Sequence, residues 1–446
     1  MSKTWSVDEH LEDILRSIRP LEPIELNLLD AQGCVLVEDV LVPAALPPFD
    51  NSSMDGYAVR IADVEGASEE FPAVLSVIGD IAAGSAGLPT VSSGQAARIM
   101  TGAPLPPGAE AVVPVEWTDG GTGSGPADAM RAHSSAPQDA SGQVRVHRPV
   151  VPRQHVRAKG SDVRPGTVAL RAGTVLGPAQ VGLLAAIGRG AVTVRPRPRV
   201  VVLSTGSELV PPGEPLGPGQ IHDANSFVLT AAARAAGAIS YRVGAVADDA
   251  ETLRSTIEDQ LIRADLLVTS GGVSVGAYDV VKEALSRVEA FGADEDGEPA
   301  DGASDAVEFR RLAMQPGKPQ GFGLIGPDRT PILTLPGNPV SAYVSFELFV
   351  RPAVRALMGQ EPIRRRTVSA RLAGESELTS PEGKRQFLRG AYTPPAEDEE
   401  MGSVSPVGGS GSHLIAALAQ ADALIDIPEK TSRIAPGREV TVVPLD

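Results

Sequence analysis

The sequence predicts a multidomain α/β chain: a central domain of parallel strands covered by helices on both faces, with small β domains on either side. Three observations predict it. At 446 residues the chain is longer than one ordinary core accommodates. Between residues 200 and 358, short apolar runs alternate with segments of helical periodicity, the order that builds a parallel sheet. From Val59 to about Pro149, and again after Gly359, short alternating runs are separated instead by Gly and Pro turns, the pattern of small β domains.

Composition narrows the function classes. Hydrophobic residues make up 42% of the chain, enough for several cores, and the formal charge is −17 (39 basic, 56 acidic). Nucleic acid is excluded as a main partner, because neutralising phosphates needs a basic face. Aromatic residues at 4% leave no stacking platform for single strands. The single cysteine, Cys34, excludes an internal disulfide or a thiolate metal cluster and fits a reducing compartment. With a polar amino-terminal segment and no long uncharged apolar stretch, the expectation is a cytoplasmic protein without a membrane partner.

In chain order, Ser6 to Glu9 reads as a capping box opening a helix whose apolar face carries Val7, Leu11, Ile14, Leu15 and Ile18, stopped by Pro20. Residues 25–29 and 34–42 are strand-like and lead into a polar, turn-rich stretch at 46–60. In the β region that follows, RIMTGAPLPPG at 98–108 is the most distinctive loop. Residues 118–143 are rich in small and polar residues without apolar periodicity and read as a mobile insertion with no chemistry. An Ala/Leu-rich helix is expected near 178–187, and RPRPR at 195–199 as a stiff linker. The alternating region then places strands at 200–203, 241–246, 264–269, 309–314, 321–324 and 332–335, and helices at 226–236, 251–263, 280–288 and 340–358. Residues 292–306 read as an acidic surface insertion, and strand-like segments such as 367–372 and 439–443 form a carboxyl-terminal β domain.

Ligands of such sheets sit at the carboxyl ends of the strands, and four loops there are rich in residues that expose backbone. TSGGVSVGAYD at 269–279 follows the organising strand; Ser270, Gly271 and Gly272 leave amides open and Asp279 begins a helix, so an oxyanion fits. Taken alone, the glycine pair reads more simply as a tight turn and Asp279 as a cap. STGSE at 204–208 supplies Ser204, Thr205, Gly206 and Glu208; IHDANS lies at 221–226; LPGNPV at 335–340 supplies Pro336, Gly337, Asn338 and Pro339. Glu208 and Asp279 are the candidate ligands for Mg²⁺, which takes one or two carboxylates plus phosphate oxygens. Asp248 reads as a helix cap or a metal ligand, and Lys318 as a local cation for an anionic ligand or a solvated lysine.

These segments together resemble the molybdopterin molybdenumtransferases. The resemblance rests on FDNSSMDGYA at 49–58, RIMTGAP at 98–104, STGSE at 204–208, SGGVSVG at 270–276, PGKP at 316–319 and LPGNP at 335–339, which span nearly the whole chain in order. It implies a central α/β domain of the molybdopterin-binding type at 198–361, an inserted β domain at 47–158, a carboxyl-terminal barrel-like domain at 362–446, and an elongated mixed dimerisation domain from 1–46 and 159–197. It also implies a homodimer, Mg²⁺, and a reaction in which adenylylated molybdopterin and molybdate give molybdenum-bound molybdopterin and AMP. Molybdopterin adenylyltransferase and apo-molybdoenzymes are the implied protein partners. By position, Asp55, Thr101, Glu208, Asp249 and Asp279 match polar positions of the family's cleft, Pro336 and Pro339 shape a loop beside it, and Ser274 and Lys318 match substrate-contact positions. Arg389 and Ser412 are further candidates. The sequence departs where the family often has lysine, at Gln315 and Arg311. An adenylyltransferase-like enzyme, a scaffold, or a copy drifted in activity are the competing readings.

Overall fold

The computed structural model describes residues 3–122, 127, 142–247, 249–272, 280–286 and 307–445. The chain divides into two compact units, one of Met1–Val37, Gly173–Gly177 and Val192–Asp446, the other of Glu38–Ala172 and Pro178–Ala191.

The first unit is built on a seven-stranded sheet in the order Thr4–Trp5, Glu308–Leu312, Pro319–Ile325, Thr330–Leu335, Leu266–Ser270, Arg199–Thr205, Ile239–Val246. Successive side chains of a strand point to opposite faces, and both faces are covered. Val200, Val202, Leu266, Val268, Leu333 and Leu335 join one core, with Leu229 and Ala233 of helix Asn225–Ala235 and residues of the long helical run from Pro339 to Leu357. Val201, Leu203, Leu267 and Ile332 join the other, with Leu253 and Ile257 of helix Ala250–Leu261. Burial on both faces is why these strands read as unbroken apolar runs. The first helix, Val7–Ser17, is closed by the expected capping box: Ser6 Oγ accepts from the Glu9 N–H at 3.0 Å, and the Glu9 carboxylate accepts from the Ser6 N–H at 2.8 Å.

The sheet is not wholly parallel, as the alternation had suggested. Strand Pro319–Ile325 runs antiparallel to both neighbours. Its connections are too short for a parallel crossover, and Gly326 and Arg329, both at positive φ, make the hairpin into Thr330–Leu335. The long carboxyl-terminal helix is also interrupted, by a π turn at Phe346–Val350. Pro352, which follows, has no N–H to donate to the preceding turn.

Beyond residue 367, strands Val368–Leu372, Arg385–Thr393, Gly402–Pro406, Ala423–Ile427 and Glu439–Pro444 pair in a ring that closes when Arg385–Thr393 meets both Gly402–Pro406 and Ala423–Ile427. This is a closed five-stranded barrel around Leu388, Val404, Ile425 and Val442. Closure leaves no free edge among the five.

The second unit carries a five-stranded sheet in the order Gln143–Val146, Ala73–Ile81, Gln95–Ile99, Gly56–Val59, Ala111–Pro114. Gly56 is required there, since a Cβ would stand 2.0 Å from the Val113 carbonyl oxygen. The stretch expected to begin an insertion at residue 118 is instead built into this unit. Thr118 and Asp119 are buried, and the Asp119 carboxylate accepts from the N–H groups of Gly121 (2.9 Å) and Arg145 (3.0 Å). An Asx-type turn looks polar in sequence although it is interior. Most of 118–143 and all of 292–306 lie outside the described residues. Among the described residues, no helix is long and apolar enough to cross a membrane.

Candidate active site

At the carboxyl ends of the parallel strands, the first unit holds a cavity of about 700 Å³. Thr205, Gly206 and Glu208 line it from the loop after Arg199–Thr205, and Ser270, Gly271 and Gly272 from the loop after Leu266–Ser270. Pro336, Gly337, Asn338 and Pro339 close a third side, and His222, Asp223 and Asn225 a fourth.

The loops are fastened to one another. The hydroxyls of Ser204 and Ser270, paired residues of adjacent strands, stand 3.2 Å apart and are fully buried, and the Gly271 N–H donates to the Leu335 carbonyl at 3.1 Å. Asn225 Nδ2 donates to the Gly337 carbonyl at 2.6 Å. Asp223 is buried and accepts from the Ser226 N–H at 3.0 Å and hydroxyl at 2.5 Å.

Gly271 and Gly272 are also required by packing. Both sit at positive φ (97° and 62°), and a Cβ on Gly271 would lie 2.5 Å from the Thr205 carbonyl oxygen, one on Gly272 2.2 Å from a Val281 methyl carbon. They are glycines because strand, loop and helix close on each other there. Of the two, Gly271 has its N–H engaged by Leu335. The lining N–H groups that have no acceptor among the described residues include those of Gly272, Gly337 and Asn338, as well as those of Glu208, Ala224 and His413. Asn338 begins helix Pro339–Ser345 without a side-chain cap bond, and Pro339 at the first helical position fixes the entry.

The other expected site residues are dispersed. Glu208 lines the cavity; its carboxylate folds back so closely that a Cβ on Gly206 would meet it at 2.5 Å, and it has no hydrogen-bond partner among the described residues. Asp249 lies outside the lining and caps helix Ala250–Leu261, accepting from the Thr252 N–H at 2.7 Å, with hydrogen bonding to Thr252 holding its carboxyl below the usual range. Lys318 is exposed beside the lining residue Pro319. In the second unit Asp55 and Thr101 meet: Asp55 Oδ1 accepts from the Thr101 N–H at 2.6 Å and hydroxyl at 2.9 Å. Asp248, Ser274 and Asp279 lie outside the described residues.

Sequence reasoning missed one wall. His413 and Ile415, from the barrel part of the chain, line the cavity. Their segment is tied to helix Pro339–Ser345 by the Val340 N–H, which donates to the Ser412 carbonyl at 3.0 Å. The buried Arg389 holds the preceding loop by the carbonyls of Val407 (3.4 Å), Gly411 (3.2 Å) and Gly409. The available signal was the run GGSGS at 408–412, which exposes backbone after a strand as the other loops do.

Residues 5–188 match the family described as MoeA N-terminal region (domain I and II), 201–356 the probable molybdopterin binding domain, and 371–445 the MoeA C-terminal region (domain IV). The chain is similar to molybdopterin molybdenumtransferase 2 of Mycobacterium tuberculosis, at 44% identity over 98% of both chains. The chain belongs to the molybdopterin molybdenumtransferase family. A more distant member, from Haemophilus influenzae, is 32% identical over 96% of this chain and 95% of its own. Among solved structures, a molybdopterin biosynthesis MoeA protein from Pyrococcus horikoshii superposes with a TM-score of 0.71 at 32% identity, covering 100% of both chains. The cavity's strand-end loops fall within the probable molybdopterin binding domain, and His413 and Ile415 within the C-terminal region.

The described residues supply one unengaged carboxylate to the cavity, Glu208, because Asp223 is held by Ser226. No group of three or more His, Cys, Asp or Glu able to hold a metal occurs among the described residues. That donor set does not form a protein cage for a cation, but it fits a hard cation that keeps its waters and takes the remaining oxygens from a bound phosphate.

Proposed function

We propose that the chain completes molybdenum cofactor synthesis by inserting molybdenum, supplied as molybdate, into adenylylated molybdopterin with release of AMP. The observation that carries this reading is the presence, among the lining N–H donors without acceptors among the described residues, of Gly272, Gly337 and Asn338 on two loops that meet at the head of the sheet. Preorganised backbone donors of this kind stabilise the charge of a phosphoanhydride and the charge that develops as it is cleaved. An oxygen from water or molybdate adds to phosphorus as the anhydride bond breaks and AMP leaves, while the two dithiolene sulfurs displace molybdate oxygen, released as water, and keep the metal. A chain with one cysteine needs no thiolate of its own for that.

In the same proposal Glu208, with Asp279, would hold Mg²⁺, which would supply positive charge to offset that of the phosphoanhydride. Asn225 sets the height of the Gly337 loop through its carbonyl. Thr205 and the rigid Pro336–Pro339 segment bound the ligand laterally. Asp55, Thr101, Asp249, Ser274 and Lys318 are proposed as further site residues, the protein as a cytoplasmic homodimer, and its domains as the four divisions expected from the sequence. An adenylyltransferase would precede it and apo-molybdoenzymes would take its product. An adenylyltransferase reading of this chain itself would leave the regions 5–188 and 371–445 without a task.

The test is AMP release by the purified full chain from adenylylated molybdopterin with Mg²⁺ and molybdate, with activation of an apo-molybdoenzyme followed in parallel. Both signals should require molybdate. Binding without AMP release, or consumption of ATP with unmodified molybdopterin, would overturn the assignment.

A further inference from the structure

The cavity's described lining contains no lysine or arginine, although the ligand class it fits is anionic and the whole chain carries −17. Glu208 and Asp223 make the charge balance of the lining worse. Lys318 stands outside the lining, Gln315 is neutral, and the Arg389 guanidinium is occupied by the carbonyls of Val407, Gly409 and Gly411. Among the described lining residues, the groups able to carry positive charge are two imidazoles, His222 and His413.

Both are exposed and carried on fastened backbone, and they differ in their neighbours. His222 ends the two-residue strand Ile221–His222, paired with Leu209–Val210, and this strand is fastened to the Glu208 backbone through the Ile221 N–H at 2.9 Å. His413 follows a loop pinned from two sides: Arg389 grips the loop behind it, and Val340, in the first turn of helix Pro339–Ser345, donates to the carbonyl of adjacent Ser412. The imidazole itself is exposed, and its Cε1 stands 3.1 Å from where a Cβ on Gly411 would be. A side chain carried on a fixed backbone, open to solvent, and next to the helix that bears Asn338 is suited to meet a ligand's phosphate edge without first losing much freedom.

We propose that His413 is the cationic ligand contact of this cavity, protonated when the phosphoanhydride binds and donating to its oxygens. Histidine changes charge between pH 5 and 8, so affinity for a non-titrating phosphoanhydride rises as pH falls through that range. Among the described residues, the charged groups around this region are Glu208 and Asp223 of the lining and Arg389 behind the His413 loop. This inference rests on the proposed function for the identity of the ligand but not for its charge.

The experiment measures binding of diadenosine diphosphate, whose phosphodiester groups do not titrate between pH 5.5 and 8, to the full chain by calorimetry. Wild type should bind roughly 10-fold tighter at pH 5.5 than at pH 8, the range of one charge-assisted hydrogen bond. In His413→Gln that gain should vanish while affinity at pH 8 stays within about 2-fold, and His413→Lys should bind tightly at both pH values. His222→Gln should keep the wild-type dependence. If His413→Gln retains the gain, if His222→Gln abolishes it, or if the probe binds at neither pH, the assignment of His413 is wrong. AMP release from adenylylated molybdopterin separates the two ideas. Release with an unaltered pH response in His413→Gln overturns the histidine role alone, and a lost pH response without any release overturns the transferase reaction while leaving the histidine in place.

Discussion

Acidification should weaken the first unit through His10. This side chain is 1% exposed, lies edge-on to Phe349 with ring centroids 4.8 Å apart, and has Arg310 Nη1 3.3 Å from its Nδ1. Arg310 can only donate, so Nδ1 accepts and the proton sits on Nε2, which is buried without a partner. Burial, and next the Arg310 charge, push the imidazole from its ordinary 6.5 down to about 3, with Asp13 opposing. A folded value below the unfolded one means that the unfolded chain binds the extra proton first. The contribution is therefore complete above pH 6.5 and is lost as pH falls from 6.5 towards 3. At pH 4.5, two units below the ordinary value, the loss is about 3 kcal/mol, a large part of a typical domain's stability of roughly 5–15 kcal/mol. The variant His10→Asn keeps an acceptor near the position of Nδ1 and cannot titrate. Trp5 stacks on Arg310 at 3.9 Å, so its fluorescence in a Trp117→Phe background reports urea unfolding of this region. Wild type should lose about 3 kcal/mol more than His10→Asn between pH 7.5 and 4.5. Parallel losses in the two proteins, or an imidazole resonance titrating near 6.5, would refute the reasoning.

Three other perturbations follow from the same geometry. Gly271→Ala must hold a φ of 97° with its Cβ against the Thr205 carbonyl; about 1–3 kcal/mol of strain should appear in denaturant unfolding, together with loss of AMP release, and a variant unchanged in both would contradict the packing described. Glu208→Gln removes the unengaged carboxylate of the cavity and should raise the Mg²⁺ concentration needed for half-maximal AMP release at least several-fold, with unchanged thermal stability; an unshifted Mg²⁺ curve removes Glu208 as a ligand. Glu347→Ala takes the carboxylate from Arg365, 2.6 Å away, and from Arg351 at 4.0 Å, where Glu347 is only 8% exposed. Stranding buried guanidinium charge costs about 3–5 kcal/mol, and a urea midpoint within error of wild type would show that water enters freely there.

Much of this architecture was legible because its determinants are local. The Ser6–Glu9 capping box, the apolar strands Arg199–Thr205 and Leu266–Ser270, and the glycine and proline loops after them are written in contiguous residues. Asp249 shows where local reading reaches its limit: a carboxylate after a strand signals either a ligand or a cap, and the Thr252 N–H at 2.7 Å shows it capping a helix outside the cavity lining. Asp119 misled in the other direction, since a polar, glycine-rich run gives no sign that its first residues are buried.

The sequence by itself determined the order of strands and helices, the caps, the loops rich in exposed backbone, and the family, because each depends on spacing along the chain. Only the tertiary structure decided that Pro319–Ile325 runs antiparallel, that the five carboxyl-terminal strands close into a barrel, and that Gly271 is a glycine for packing against Thr205. It alone brought His413 to a cavity whose nearest strand-end loop precedes it by more than 70 residues. Pattern records which face of an element is apolar, whereas the side chains that meet across a cavity are set by how distant elements pack, which no local periodicity encodes.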